Sequence, residues 1–235
     1  MNIAFASGGK DSTAMIDILI KNYPNMLDRV IFVAVEKEFP QECEFRLKLI
    51  ERWNPHVCCE IIQTKAKFDD WFFGKTTRGN NKGKRRGFPP TLFPCYWTRE
   101  AKIKPINNYL QGISDPIEFV GYACDEKSKV RQNIKSKYLN GEIINKKYPL
   151  IDWNMTEDDC RDYCKKNGIL NPLYKYFNRL GCFLCPKQSK KNIEILREYF
   201  PEQYAELRWY CSQINDEFID SENFNINISL KEILK

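Results

Sequence analysis

Six residues near the start, Ser7-Gly8-Gly9-Lys10-Asp11-Ser12, combine the types needed to hold a phosphate. Two glycines let the backbone approach an anion closely, and a helix beginning here would offer free N–H groups at its positive end. Ser7 and Ser12 add hydroxyls and Lys10 adds a full charge. The stretch is not a Walker loop, because Ala4 stands where the first glycine would be and Asp11 replaces the Ser or Thr after the lysine. A second group is Cys182 and Cys185, whose C-x-x-C spacing lets two thiolates face one metal. Read from the residues alone, a metal or cluster, a redox dithiol and plain packing all remain open there. Cys160 and Cys164, four apart, read as core-facing on one helix face. The adjacent Cys58 and Cys59 point to opposite faces of a strand. Cys43 and Cys211 carry no motif.

The loop needs a strand before it and a helix after it, and both are legible. "NIAFA" is a short apolar run, and Met15, Ile16, Leu19 and Ile20 recur at helical spacing. "RVIFVAV" (29–35) has the uninterrupted apolar character of a strand buried on both faces. "PQECEFRLKLIERW" predicts a helix with Pro40 in its first turn, and "VCCEIIQT" a third strand. This alternation predicts βαβ units and a mostly parallel sheet. "TREAKIKPINNYL" predicts a helix and "IEFVGYA" (117–123) another buried strand. Thr156 with Asp159 predicts a capped helix start and Gly168 its stop. From 191 onward the pattern is helical, interrupted at Pro201. The expected organisation is an α/β domain over 1–150 with a basic insertion at 74–94, and a helical portion over 151–235 packed on it.

Of 235 residues, 43% are hydrophobic and 29% charged, the balance of a folded globular chain. No apolar run approaches the roughly 18 residues of a membrane span, and no signal peptide is evident, so a cytoplasmic location without a membrane partner is expected. The net charge of +6 is local: residues 71–99 hold seven Lys/Arg and no Asp or Glu. The segment 74–88 is therefore a candidate contact for tRNA, DNA or an anionic substrate. Its flanking aromatics (Trp71, Phe72, Phe73, Phe88, Phe93, Tyr96, Trp97) could stack bases or anchor the loop in the core.

Taken in position and order, S-G-G-K-D-S resembles the PP-loop of the ATP pyrophosphatase superfamily, the adenine nucleotide alpha hydrolase-like proteins. The resemblance implies a doubly wound, mostly parallel α/β fold with a helical C-terminal portion, and ATP cleaved at the α-phosphate. Four further stretches resemble the phosphoadenosine phosphosulfate reductase-like branch: "VAVEKEFPQE", "GYACDEKSKVR", "YPLIDWNMTEDD" and "NPLYKYFNRLGCFLCP". The five pieces keep the family order over about residues 3–188. The resemblance implies that Val35, Glu36, Phe39 and Gly121 join the loop in binding nucleotide. It makes Lys10, Asp11, Asp125 and Arg131 catalytic, with Mg²⁺ bridging phosphates near Asp11 or Asp125. Arg99, Lys102, Glu126 and Arg131 are then the residues for the substrate.

Relatives also carry a cysteine before an Arg…Lys…Pro helix, which Cys95 matches with a displacement of about two residues. Cys95, Cys182 and Cys185 would then hold a [4Fe–4S] cluster with one open iron, or zinc with Cys124 or His56 as a fourth ligand. The implied reaction is adenylation of a nucleotide or nucleic-acid substrate for sulfur transfer, with a sulfur-donor protein and a second copy of the chain, as a homodimer, as further candidate partners. The alternatives are a thiol-dependent nucleotide-sulfate reductase and a non-enzymatic nucleic-acid-binding zinc protein. One departure is clear: such reductases carry a late Glu-Cys-Gly-Leu-His motif, whereas the late cysteine here is Cys211 in "RWYCSQI". The chain also resembles small reductase-like proteins of phages and mobile elements, with which its Lys/Ile/Asn-rich composition is compatible.

Overall fold

The computed structural model describes residues 1–90 and 95–235, so Phe93 lies outside the described residues. In chain order the first elements are β1 (Asn2–Ala6), α1 (Lys10–Asn22), β2 (Arg29–Ala34), α2 (Pro40–Trp53), β3 (Cys58–Gln63) and α3 (Phe68–Phe72). Then come α4 (Tyr96–Thr98), a π-helical turn (Arg99–Ile103), α5 (Lys104–Gln111), β4 (Ile117–Phe119), α6 (Lys129–Leu139) and β5 (Lys146–Lys147). The last are α7 (Pro149–Asp152), α8 (Glu157–Lys166), a 3₁₀ turn (Pro172–Lys175), α9 (Lys190–Tyr199), α10 (Pro201–Gln213), β6 (Asn223–Asn225), β7 (Ile228–Ser229) and α11 (Leu230–Leu234). Among the described residues no helix is long and apolar enough to cross a membrane. Contacts gather the chain into two units, one of residues 1–34, 40–63 and 106–175, the other of 35–39, 64–105 and 176–235.

The first unit is an α/β layer structure around a five-stranded sheet of order β3-β2-β1-β4-β5, all of whose pairings are parallel. The strand order reverses beside β1, and ligands of open parallel sheets bind at such a reversal, outside the carboxyl ends of the strands. β2 earns its central place by composition: Val30, Ile31, Phe32 and Val33 are all buried. The apolar stripe of α1 puts Met15, Ile16 and Leu19 into the core. β4 is shorter than the apolar run 117–123 suggests. The backbone at Gly121 passes so close to α1 that a Cβ there would lie 2.7 Å from Ser12 Cα, which takes the chain out of the sheet. The capping box of Thr156 and Asp159 starts α8 as expected, and Gly168 follows it at φ +68°.

In the second unit an aromatic core replaces the sheet. Phe72 is fully buried, with ring centroids 4.8 Å from Tyr210, 5.1 Å from Phe88 and 5.3 Å from Phe218. Phe68 meets Trp97 at 5.3 Å, edge to face. The aromatics around the basic segment thus anchor it. The segment 74–88 is folded, not a free arm: Lys75 bridges Arg85, whose guanidinium lies 5.9 Å over Phe73 and 5.8 Å over Phe218. Arg86 lies 4.9 Å over Trp71. The C-terminal helices divide at Pro201 as the sequence predicts. The chain beyond them differs from expectation, forming the β6–β7 hairpin and α11.

Candidate active site

The loop after β1 gains its shape from side chains that converge on it within the first unit. Gly8 has φ +76°, and a Cβ there would come 2.7 Å from Glu42 Oε2, so glycine is required on two counts. Asn171, 2% exposed, donates through Nδ2 to Gly8 O (3.3 Å) and to Glu42 Oε2 (3.0 Å). Ser7 Oγ and Ser12 Oγ stand 2.9 Å apart, and Lys10 N donates to the Tyr174 hydroxyl at 3.0 Å. Gly9 precedes α1 with no side-chain cap, which leaves the helix N-terminus fit for an anion.

Lys10 is 5% exposed and would be costly there without partners. Its Nζ lies 2.6 Å from Glu157 Oε2 and 3.1 Å from Asp11 Oδ1. Burial pulls the Lys10 pKa down, but Glu157 and Asp11 outweigh it and leave the ammonium's pKa raised. Asp11 is pushed above the usual aspartate range by burial, against the pull of Lys10 and with help from the charges of Glu157 and Glu126. Asp125 Oδ1 accepts the Glu157 N–H at 2.9 Å, and Glu126 pairs with Arg131, whose guanidinium lies 4.4 Å over the Tyr122 ring.

The predicted residues Ser7 to Ser12, Gly121, Asp125, Glu126 and Arg131 therefore belong to one neighbourhood at the start of α1. Sequence reasoning missed Glu42, Glu157, Asn171 and Tyr174. Each stood inside a stretch already singled out, but no spacing rule ties Glu42 in α2, Glu157 in α8, or Asn171 and Tyr174 at the 3₁₀ turn to a loop from about thirty to over a hundred and sixty positions away. The donor set here, several carboxylates and hydroxyls, suits a hard cation such as Mg²⁺, which is commonly held by one or two carboxylates together with substrate phosphates.

Val35, Glu36 and Phe39 belong to the second unit. Phe39, 3% exposed, packs on Phe200, Phe177 and Phe183 at 5.0, 5.3 and 5.9 Å. Val35 donates its N–H to Glu38 Oε2 at 3.4 Å. Glu36 holds Lys67 at 2.8 Å and accepts the Phe68 N–H at 2.8 Å, which keep its carboxyl below the usual range despite the upward push of burial.

The same unit carries the thiol pair. Cys182 and Cys185 hydrogen-bond within a tight turn closed by Cys185 N–H to Cys182 O at 3.0 Å. That bond from Cys182 brings the Cys185 thiol down to about 6, against burial and with help from the Lys187 N–H and the Arg179 charge. Cys182 is pushed well up by the same bond and by burial, with Cys95 adding to the push and Lys102 opposing it. Lys102 Nζ also lies 3.7 Å from Glu38 Oε1, whereas Arg99 turns away to cover the Tyr96 ring at 5.0 Å. The π-helical turn breaks the i, i+3 register that would have put Arg99 and Lys102 on one face. Among the described residues no three His, Cys, Asp or Glu side chains gather as a metal site. His56 and Cys124, considered as fourth ligands, belong to the first unit. Cys182 and Cys185 stand as a pair, with Cys95 near enough for its charge to act on Cys182. Cys160, Cys164 and Cys211 are buried, and burial drives their thiols up, Cys164 and Cys211 to about 12.

A parallel sheet with a Gly-Gly-Lys loop at its reversal point, framed by acidic residues after the neighbouring strand, defines a PP-loop type of nucleotide-binding protein. Within that class the chain belongs to the phosphoadenosine phosphosulfate reductase domain family, whose model matches residues 2–188. Two uncharacterized proteins of Methanocaldococcus jannaschii are each 25% identical, over 87% and 91% of this chain. The chain spans less than half the length of these relatives, 46% and 42%. Among solved structures, the phosphoadenylyl-sulfate reductase of Candida auris in its phosphate complex shares the fold. Its TM-score is 0.50 at 17% identity, over 77% of this chain and 80% of that one. The U34-tRNA thiolase NcsA of Methanococcus maripaludis, solved with its [4Fe-4S] cluster, aligns at a TM-score of 0.48 and 17% identity, over 91% of this chain and 72% of that one.

Proposed function

We propose that this protein is an ATP-dependent PP-loop enzyme that cleaves ATP to AMP and pyrophosphate by adenylating an acceptor, in the service of sulfur transfer to a nucleotide or nucleic acid. The observation that carries the reading is the charge balance around Lys10. Asp11, Asp125, Glu126 and Glu157 gather at or beside the loop, where Lys10 is already paired to Asp11 and Glu157 and Arg131 to Glu126. A bare polyanion would be repelled there. A nucleotide carrying Mg²⁺ would not, and a triphosphate binds Mg²⁺ more readily than a nucleotide sulfate does.

Lys10 and the α1 amides would take the leaving pyrophosphate, and Glu157 would release Lys10 to the phosphates as they arrive. Mg²⁺ near Asp11 would supply charge neutralisation on the phosphate oxygens. Arg131 would orient two anionic substrate oxygens bidentately. Cys211 is a poor nucleophile for the reductase alternative, being 1% exposed with its thiol pushed up to about 12 by burial. Cys185, already poised towards its thiolate, is the better sulfur group, and no step here depends on a metal at the cysteines.

The test is pyrophosphate and AMP release from ATP and Mg²⁺ with RNA and nucleotide pools as acceptors. Lys10→Ala should lower it by about a hundredfold or more. Sulfite release from phosphoadenosine phosphosulfate with a thiol donor, and no pyrophosphate from ATP, would replace this reading with the reductase one.

A further inference from the structure

A second basic region lies outside the segment that the composition singles out. From Lys127 to Lys147 the chain carries seven cations and one acid, Glu142. α6 occupies the centre of this region and buries no residue at all. One side of α6 is held by polar contacts. Arg131 pairs with Glu126, Lys135 Nζ donates to Cys124 O at 2.7 Å, and the Tyr138 hydroxyl donates to Asp152 Oδ2 at 2.7 Å. These residues fall at i, i+4 and i+7 and define the inner face.

The opposite face presents Lys129, Asn133, Ser136, Lys137 and Asn140, all exposed, with Lys127 just before the helix and Lys147 after it. Among the described residues, the side-chain ammonium groups of Lys127, Lys129, Lys137 and Lys147 make no ion pair or hydrogen bond. Four unpaired cations with amide and hydroxyl groups between them, and no acid, gain nothing for the fold and repel one another. Their complement is an extended polyanion. In the segment 74–88, by contrast, Arg85 and Arg86 are already taken up by Phe73, Phe218 and Trp71.

The placement of α6 adds a direction. Arg131, in its first turn, holds Glu126, whose charge acts on Asp11, and the same loop passes over Ser12 at Gly121. We propose that the outer face of α6, with Lys127 and Lys147, binds the phosphodiester backbone of a nucleic acid and leads it to the Lys10 site as the acceptor. The binding half stands on α6 alone; the acceptor half rests on the ATP reading above.

The test is fluorescence anisotropy with a labelled RNA hairpin and, in a separate arm, a labelled single-stranded DNA, each over a salt series. The triple variant Lys127→Glu, Lys129→Glu, Lys137→Glu should weaken binding by about tenfold or more and flatten the log–log salt slope by about 2 to 3. Lys75→Glu, Lys82→Glu, Lys84→Glu should stay within about twofold of wild type. Preference for RNA or for DNA supports the proposal and identifies the acceptor class. Lys10→Ala should bind nucleic acid as wild type does, so binding and ATP cleavage fail separately. Equal losses from the two triple variants, no binding of either nucleic acid, or binding only to phosphatidylserine vesicles would overturn it.

Discussion

Two aspartates on α1, six residues apart, show what separates a charge that holds the fold from one that is left for chemistry. Asp17 is 1% exposed and its oxygens meet four donors: Arg52 Nε at 2.9 Å, Trp53 Nε1 at 3.0 Å, Lys21 Nζ at 2.8 Å and the Tyr163 hydroxyl at 2.8 Å. Burial pushes its pKa up, yet these donors hold it below the usual range. Asp11 has Lys10 as its cation, shares it with Glu157, and burial pushes it above that range. One helix thus carries a satisfied carboxylate in its middle and an under-compensated one in its first turn. The difference lies in the donors supplied, since both residues are the same acid.

The largest expected effect breaks the satisfied member. Asp17→Ala leaves the Trp53 indole and the Tyr163 hydroxyl without their acceptor, although Arg52 and Lys21 can turn to water. The expected cost is about 3 kcal/mol, or a fall in Tm of about 6–12 °C for a chain of this size. Because the native pKa of Asp17 is lowered, its contribution is present above the ordinary aspartate pKa and is lost as pH falls through the native value. The gap between wild type and Asp17→Ala should therefore narrow below about pH 4. Thermal unfolding across pH checks both; a gap that is constant with pH would show that Asp17 acts through packing.

Asp11→Asn should behave in the opposite sense. The raised native pKa means that the charged carboxylate costs stability at neutral pH, and that the cost is relieved as pH falls through the raised value. The variant should match or exceed wild-type stability at pH 7, by up to about 1 kcal/mol, with the advantage disappearing towards pH 4. Pyrophosphate release should meanwhile drop by about a hundredfold. A variant both less stable and fully active would make Asp11 a structural residue like its neighbour.

This contrast also marks how far the sequence could be read. The strand–loop–helix that carries Ser7 to Ser12 was legible because apolar periodicity and a glycine turn are local signals. The capping of α8 by Thr156 and Asp159 was legible for the same reason. Glu157 was not, because its role depends on α8 packing on α1, and nothing in "TEDD" distinguishes the residue that turns to Lys10 from its neighbours. Anchoring of 74–88 by its flanking aromatics was one of two readings open from the sequence, but the part of the cations was hidden, since Arg85 and Arg86 look solvent-facing until Phe73, Phe218 and Trp71 are brought beneath them. The π-helical turn that parts Arg99 from Lys102 likewise leaves no mark in composition.

α8 serves both aspartates, with Glu157 at its first position meeting Lys10 and Tyr163 further along meeting Asp17. Its N-terminus is held by Thr156, whose Oγ1 accepts the Asp159 N–H at 3.1 Å, and by Asp125 on the Glu157 N–H. Thr156→Ala should therefore cost only about 1 kcal/mol, the smallest of these effects, but should not fall evenly on the two ends. Fraying the first turn loosens Glu157 and with it Lys10, while Tyr163, nearly two turns on, keeps its bond to Asp17. The expected signature is a several-fold rise in KM for ATP with the acid-pH stability profile of Asp17 unchanged. If the pH profile moved as well, α8 would couple the two carboxylates as one rigid unit, and the separation drawn between them would have to be given up.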